Sequence, residues 1–554
     1  MPCQANSRWF IYSILPIVII AAGLRLFHLS PPLMYSDQAF CWRVANSEDI
    51  WQLFERVAGD THPPGYFLLL RAWCSIAGDD PFTLRLLSAL IGTLNVALMF
   101  GLTASVMRTF QPGGPQSAVY ASACIASLLM AVHAMQIEAS RLVRMYAYGM
   151  FGAVICTWAL VALIAVPDSW SRRVLYGITV ALAIYGHSFI FFTLGSHALI
   201  LAAISISYLV TGNKVRALSV SKATLISYGI AGAFYAPWLP SLILQSKRVA
   251  IDFWIPRLTF QRLQEMFVGW SIGYNYYDGM DFTALSTSYS NGISPLALGV
   301  IVLIEAIVIR AAIKGDRSVG FFIPLMITPW LGGVIVSVLG DRTILLPRYL
   351  LFAQIGLIGA VAVSVGQLRS WARIIGTGLV VLPCLAASVI MLRNVSEKPP
   401  STQLAAEHLR VHYTSGDLII TDRPKRLLEL AYYLDQCNLP FALIQCHFPT
   451  SRLGGHVNLI SALTPNERLP SCVPAKVRRI WYASNDAVVP LDKWPESPQG
   501  WKLAQVKTFD AADGVEDMPY SLLLYTRDCV GCIDTTLPKR STALIGSEAF
   551  EVVF

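Results

Sequence analysis

Asp37 lies in "LSPPLMYSDQAFCW" (29–42), an acid set among Tyr35, Phe40 and Trp42 just after an apolar run. His62 follows in "GDTHPPGYFLLLRAW" (59–73). Glu138, Arg141 and Arg144 come at intervals of three in "EASRLVRMYAYGMF" (138–151), with Tyr146 two residues after Arg144. His187 stands in "YGHSFIFF", and Arg348 and Tyr349 in "DRTILLPRYLLF" (341–352). Taken singly, each has a plain structural use: a helix cap for Asp37, a fixed turn for His62, an ion pair for Glu138 and Arg141, snorkelling for the arginines. Taken together they are one acid, two histidines and several arginines. A glycosidase needs two carboxylates flanking the bond it cuts. Phosphate is already a fair leaving group, so a sugar phosphate needs no strong acid. It needs cations for the developing negative charge, and Arg offers a bidentate fork. One positioned carboxylate can deprotonate an attacking hydroxyl, worth about 10²–10⁴-fold. The set therefore points to glycosyl transfer from a lipid-borne phosphate, and a single direct displacement would invert the anomeric carbon.

These residues need a frame that holds them on one face of a membrane. Of the 554 residues, 55 % are hydrophobic and 14 % charged, against about 25 % charged in a soluble domain. The apolar excess falls in blocks of roughly 18 or more residues, enough to cross about 30 Å of hydrocarbon. The expectation is an α-helical polytopic membrane protein of about 11 spans, near 9–27, 86–107, 118–134, 147–166, 175–191, 193–211, 223–243, 292–309, 319–340, 349–367 and 374–392. The first block is too long for a signal-peptide core and is expected to be an uncleaved anchor. The net charge of +8 is modest and no basic run suggests nucleic acid. With the N-terminus inside, inner and outer loops each carry about 12 Lys and Arg. The inner loops are far shorter, and short loops weigh most in setting orientation. That places the loop 28–85 outside, with "GYFLLLRAW" as a helix along the membrane surface. Glu138, Arg141 and Arg144 are expected on one side of a helix opening the fourth span, and His187 near the outer end of the fifth. From residue 395 the composition changes. "GDLIITDRPKRLLELAYYLDQ" (416–436) reads as strand, turn and amphipathic helix, and "RRIWYASND" (478–486) and "YSLLLYTRD" (520–528) as strands. Two domains follow: 1–394 in the membrane and an α/β extracytoplasmic domain, 395–554.

The pieces "LRLFHLSPPLMYSDQAFCW", "THPPGYFLLLRAWCSIAGDDPFTLRLLSALIGTLNVAL", "RMYAYGM", "YGHSFIF" and "PRYLLF" come in that order. Over roughly residues 20–365 the chain resembles the bacterial membrane glycosyltransferases related to protein O-mannosyltransferases and to the lipid A aminoarabinose transferase, enzymes of the GT-C fold. The first 90 residues or so carry the most specific part of it. The resemblance implies a polyprenyl-phosphate sugar donor and action at the outer face of a bacterial cytoplasmic (inner) membrane. It implies Asp37 as the catalytic acid residue, Arg144 and Arg348 at the late motifs, His187 in the fifth span, the "HPP" element at His62, Pro63 and Pro64, and Arg25 closing the first span. Two departures stand out. Gln38 replaces the glutamate that usually follows the acid, leaving Asp37 as the motif's sole carboxylate. Leu142 stands where an acid often precedes the "RMY" arginine, and Glu138 is its expected substitute.

The roles expected are Asp37 as general base, Arg144 and Arg348 with Arg141 as phosphate ligands, and His62, His187, Glu138, Arg25 and Tyr146 as positioning groups. No metal is required, because arginines can neutralise the phosphate, although a divalent ion is compatible with the pattern. The acceptor is a lipid, protein or polysaccharide hydroxyl, left open along with the sugar. Of the 11 cysteines, Cys437, Cys446, Cys472, Cys529 and Cys532 lie in the C-terminal domain, where disulfides are allowed if it is extracytoplasmic. "CVGC" (529–532) has no matching second pair for a zinc site. Two rival classes are a transporter or flippase of lipid-linked sugars and a receptor or scaffold working through its C-terminal domain. A transporter would show internal repeats and broken helices at mid-membrane, and no repeat is evident.

Overall fold

The computed structural model describes residues 3–30, 34, 36–251, 255, 258–273, 295–340, 343–393, 398–421, 424–436, 444–446, 477–484, 501–510 and 520–527. Its helices, in chain order, are α1 (Cys3–Leu26), α2 (Ser36–Ala45), α3 (Ile50–Gly59), α4 (Gly65–Ala77), α5 (Pro81–Phe110), α6 (Gln116–Val132), α7 (Ala134–Ala139), α8 (Tyr146–Ala165), α9 (Trp170–Ile184), α10 (Ile190–Val210), α11 (Lys214–Tyr235), α12 (Leu239–Ile251), α13 (Phe260–Ile272), α14 (Pro295–Ile313), α15 (Arg317–Leu339), α16 (Gln354–Gly366), α17 (Ser370–Arg393), α18 (Ser401–His412) and α19 (Pro424–Gln436). Described helix underlies most of each of the eleven expected spans, but the fifth, 175–191, runs past the end of α9, and residues 292–294 lie outside the described residues. Among the described residues, seven stretches are long and apolar enough to cross a membrane: Pro81–Phe110, Tyr146–Ala165, Ile190–Val210, Lys214–Lys247, Arg317–Leu339, Pro347–Gly366 and Ser370–Arg393. The chain is an α-helical multi-pass membrane protein.

The described chain divides into two compact units, residues 1–30 with 49–395, and residues 31–48 with 396–554. In the first, α16 and the 3₁₀ turn before it (Pro347–Ala353) form the centre, buried throughout from Tyr349 to Gly366. Its sequence, "QIGLIGAVAVSVG", is apolar all round, as a helix surrounded by other helices must be. Gly356 meets the backbone of Met326 on α15, an approach that leaves no room for a Cβ and is typical of small residues at membrane helix contacts. Asp316 ties three loops expected on the inner side. It caps α15 by accepting from the Ser318 and Val319 amides. It also accepts from Gln111 Nε2 at 2.7 Å and Gln367 Nε2 at 2.6 Å.

The second unit holds a five-stranded sheet in the order β2-β1-β3-β5-β4, with β1 (Leu418–Thr421), β2 (Ile444–Cys446), β3 (Arg479–Ser484), β4 (Trp501–Phe509) and β5 (Tyr520–Arg527). β1 runs parallel to β2 and β3, while β5 is antiparallel to β3 and β4. The parallel β1–β2 pair requires a crossover, and α19 supplies it. The strand and helix read from 416–436 and the strands at 478–486 and 520–528 are present as β1, α19, β3 and β5, while residues 422–423, where the turn was read, lie outside the described residues. α18 and β4 were not legible as elements. α2 also belongs to this unit, although sequence order groups it with the membrane domain. Neither Cys41 nor Cys74 is in a disulfide among the described residues. Cys437, Cys472, Cys529 and Cys532 lie outside the described residues, as does the side chain of Cys446.

Candidate functional site

Four segments of the membrane unit converge on one buried cluster. The first is the link between α3 and α4. Pro63 keeps the preceding His62 out of a helix, Pro64 stands in the αR conformation (φ −79°, ψ −10°) just before α4 begins at Gly65, and His62 is buried within the link. The link is fastened to the turn between α9 and α10: the Gly65 amide donates to the Tyr185 carbonyl at 3.0 Å and Ser188 Oγ to the Thr61 carbonyl at 3.4 Å. On its other side Gln245 Nε2 donates to the carbonyls of Val57 at 2.9 Å and His62 at 3.3 Å. The second segment joins α7 to α8 and carries Arg144 and Tyr146. The third is the α9–α10 turn with His187, and the fourth the 3₁₀ turn with Arg348 and Tyr349.

Arg144 Nη2 lies 3.3 Å from His62 Nε2. The His62 and His187 rings are 5.0 Å apart. Around His187 stand the rings of Tyr146 at 5.8 Å, Tyr349 at 5.8 Å and Phe352 at 5.0 Å. Arg144 and Arg348 both act electrostatically on His62 and His187.

The hydrogen bonds assign the imidazole protons. A guanidinium has no acceptor, so His62 Nε2 must accept from Arg144 and the ring proton sits on Nδ1. His187 Nδ1 accepts the Phe189 amide at 3.1 Å, which puts its proton on Nε2. Both protonated nitrogens, His62 Nδ1 and His187 Nε2, are buried and have no hydrogen-bond partner among the described residues. Burial first, then His187, Arg144 and Arg348, hold the His62 pKa well below its ordinary value. The neutral tautomer is therefore the stable one. Two imidazole N–H groups and two guanidiniums make a cluster of donors, suited to an oxyanion.

Two expectations need correction. Glu138, Arg141 and Arg144 do not share one helix face, because α7 ends at Ala139 and α8 begins at Tyr146, with residues 140–145 in turns between them. There the backbone shifts to three-residue bonds: Ser140 N–H to Ile137 O and Arg141 N–H to Glu138 O. His187 is not inside a span either. α9 stops at Ile184 and the histidine occupies the following turn.

The turns send the two arginines to different places. Arg144 meets His62, whereas Arg141 donates to the carbonyls of Phe27 and His28. Glu138 acts electrostatically on Arg141, whose pKa burial lowers to about 10. Arg25 is buried and donates to Ser140 Oγ and to the carbonyls of Ala21, Met130 and Ala131. Those last two belong to the final turn of α6, whose carbonyls lack helical partners. Arg25, Glu138 and Arg141 thus form a knot around the α7 region. Asp37 sits in the first turn of α2, half-buried, where the helix N-terminus favours a carboxylate. It belongs to the second unit.

Sequence reasoning passed over Gln245, the clasp on the His62 backbone. A lone amide in the apolar "SLILQS" was the available signal. It also missed a buried knot in which Gln354 Nε2 donates to the Trp270 carbonyl at 2.8 Å, Gln136 Nε2 donates to Gln354 Oε1 at 2.7 Å, and Trp270 Nε1 donates to the Leu350 carbonyl at 2.8 Å. This knot anchors the 3₁₀ turn that carries Arg348.

No protein-family model matches the sequence, and no curated protein does. Solved structures are similar in fold. ArnT from Cupriavidus metallidurans in the apo state aligns with a TM-score of 0.56 at 11 % identity, over 94 % of this chain and 98 % of that one. The chain has the GT-C fold. The same ArnT bound to undecaprenyl phosphate aligns at 0.51 with 10 % identity, over 93 % of this chain and 98 % of ArnT. The archaeal oligosaccharyltransferase AglB from Archaeoglobus fulgidus, in complex with an inhibitory peptide and a dolichol-phosphate, aligns at 0.52 with 11 % identity, over 86 % of this chain and 69 % of AglB. Within this GT-C chain, the cluster of donors belongs wholly to the membrane unit.

Proposed function

We propose that this protein is an inverting glycosyltransferase that moves a sugar from a polyprenyl-phosphate donor to a hydroxyl acceptor at the outer face of a bacterial cytoplasmic membrane. The observation that carries the reading is the proton assignment: His62 and His187 have their lone pairs engaged and offer N–H groups beside Arg144 and Arg348. Such a set recognises acceptor-rich phosphate oxygens. The fold agrees with that class of ligand, since similar structures are those of ArnT with undecaprenyl phosphate and AglB with a dolichol-phosphate.

In the reaction, Asp37 takes the proton of the acceptor hydroxyl. The oxygen attacks the anomeric carbon, the bond from that carbon to the phosphate oxygen breaks, and the lipid phosphate leaves with the electron pair. Arg144 and Arg348 neutralise the charge that grows on the phosphate, which removes the demand for a metal. His62 and His187 orient the phosphate through their N–H groups, and Tyr146 packs beside His187. Glu138, Arg25 and Arg141 act indirectly, by holding the turn that presents Arg144. The residue type and the motif of Asp37 suit it to the base role. The sugar and the acceptor follow from mass analysis of cell-envelope glycans with and without the protein. An Asp37→Asn variant should bind undecaprenyl phosphate normally and lose about 10²–10⁴-fold in transfer. Unchanged transfer would remove the base assignment, and intact lipid-linked sugar flipping without transfer would favour a transporter.

A further inference from the structure

α2 is ten residues long. Helices shorter than about 12–15 residues are marginal in water, so α2 needs bracing from outside itself. Within the second unit that brace is α19, the crossover helix of the sheet. The Met34 amide, just before α2, donates to Tyr433 Oη at 2.8 Å. The Trp42 ring, in the second turn of α2, meets the Tyr432 ring edge-on at 5.2 Å. Met34, Trp42, Tyr432 and Tyr433 are all buried. Adjacent residues on a helix point about 100° apart, so the two tyrosines grip different ends of the segment, and Asp37 lies between the grips. α19 is itself packed on α18, β1 and β2.

We propose that the C-terminal α/β domain carries the catalytic base: Tyr432 and Tyr433 are positioning residues that fix α2, and hence Asp37, to the domain's sheet. This rests on the reading of Asp37 as base. It gives the C-terminal domain a role in the chemical step, beyond any part in choosing an acceptor.

The test uses the full chain in lipid nanodiscs, with two independent readouts. One is transfer kinetics, and the other is amide hydrogen exchange over residues 36–45 compared with β3 and β5. Tyr433→Phe removes the oxygen that accepts the Met34 amide and keeps the ring. One neutral hydrogen bond corresponds to about 5-fold. Exchange in 36–45 should therefore rise about 5-fold, and kcat should fall by a similar factor with donor KM unchanged. Tyr432→Ala removes the ring under Trp42 and should cost about 10²-fold in kcat, the expected loss for a base displaced by about 1 Å. Tyr432→Phe keeps the ring and should restore kcat to within about 2-fold of the parent. Unchanged exchange over 36–45 in both Tyr433→Phe and Tyr432→Ala overturns the proposal, whatever happens to transfer. Faster exchange with unchanged kcat overturns it as well. If Tyr432→Ala also loosens β3 and β5, Tyr433→Phe alone decides. Failure of the underlying reading looks different: Asp37→Asn then transfers sugar normally while the exchange result stands.

Discussion

Gly65 is the point at which backbone geometry sets the site. Its amide bonds the Tyr185 carbonyl. A Cβ built on it would lie 2.5 Å from that oxygen, 3.0 Å from the carbonyl carbon and 3.3 Å from Tyr185 Cβ. Ordinary contact begins at 3.4 Å, so Gly65→Ala forces the two segments about 0.9 Å apart. The atoms met are mostly backbone of the α9–α10 turn and cannot rotate away. That turn carries His187 and the moving link carries His62, so the retreat separates the rings now 5.0 Å apart. It also strains the His62–Arg144 bond, already 3.3 Å long and near the limit of a hydrogen bond. A shift near 1 Å costs about 10²-fold in rate, equivalent to about 2.7 kcal/mol. The assay is restoration of envelope glycan in cells lacking the protein, measured by mass analysis, together with undecaprenyl phosphate binding by the purified protein. Gly229→Ala in α11 is the control. Its Cβ meets nothing within 4 Å, and alanine should stabilise the helix by up to about 1 kcal/mol. Gly65→Ala within 2-fold or so of the parent in both assays would show that the contact does not set the site.

Arg144→Lys keeps the charge but loses the fork and the His62 bond, and should weaken undecaprenyl phosphate binding by about 10-fold or more; unchanged affinity in a titration would dismiss Arg144 as a phosphate ligand. Because burial holds the folded His62 pKa well below its unfolded value, the unfolded chain takes up a proton first as pH falls through about 6.5. His62 therefore contributes stability above that pH which is lost as pH drops toward the folded pKa; His62→Asn should flatten part of the acid slope of the thermal midpoint between about pH 7.5 and 5. In the second unit, Asp417 accepts from Trp481 Nε1 at 2.9 Å and from the Thr414 amide at 3.0 Å, and pairs with Arg479 at 3.4 Å. Asp417→Ala should cost about 3 kcal/mol, seen as faster limited proteolysis of that unit, and an unchanged cleavage rate would refute the estimate.

The membrane helices were legible because hydrocarbon demands long apolar runs with every backbone group bonded internally. That rule acts through composition alone, and helix underlies most of each block read from the sequence. The motif residues were chosen by type, because few side chains can neutralise phosphate or take a proton. Helix termini were less so. Spacing by three implied a continuous helix through 138–144, but the chain turns at Ser140. Local bonding at Ser140 and Arg141 overrides periodicity there, and no count of intervals shows it.

The sequence by itself determined that this is a polytopic helical protein with an appended α/β domain, and it named the side chains capable of the chemistry. The tertiary structure decided which of them work together. Arg144 and Arg141 are three residues apart, yet one meets His62 and the other the carbonyls of Phe27 and His28. It also decided the imidazole tautomers, through partners as local as Phe189 and as remote as Arg144, and it placed α2 with the second unit. The reason is physical: a side chain's chemistry is a property of its type, but its protonation and partners depend on neighbours that only folding brings near.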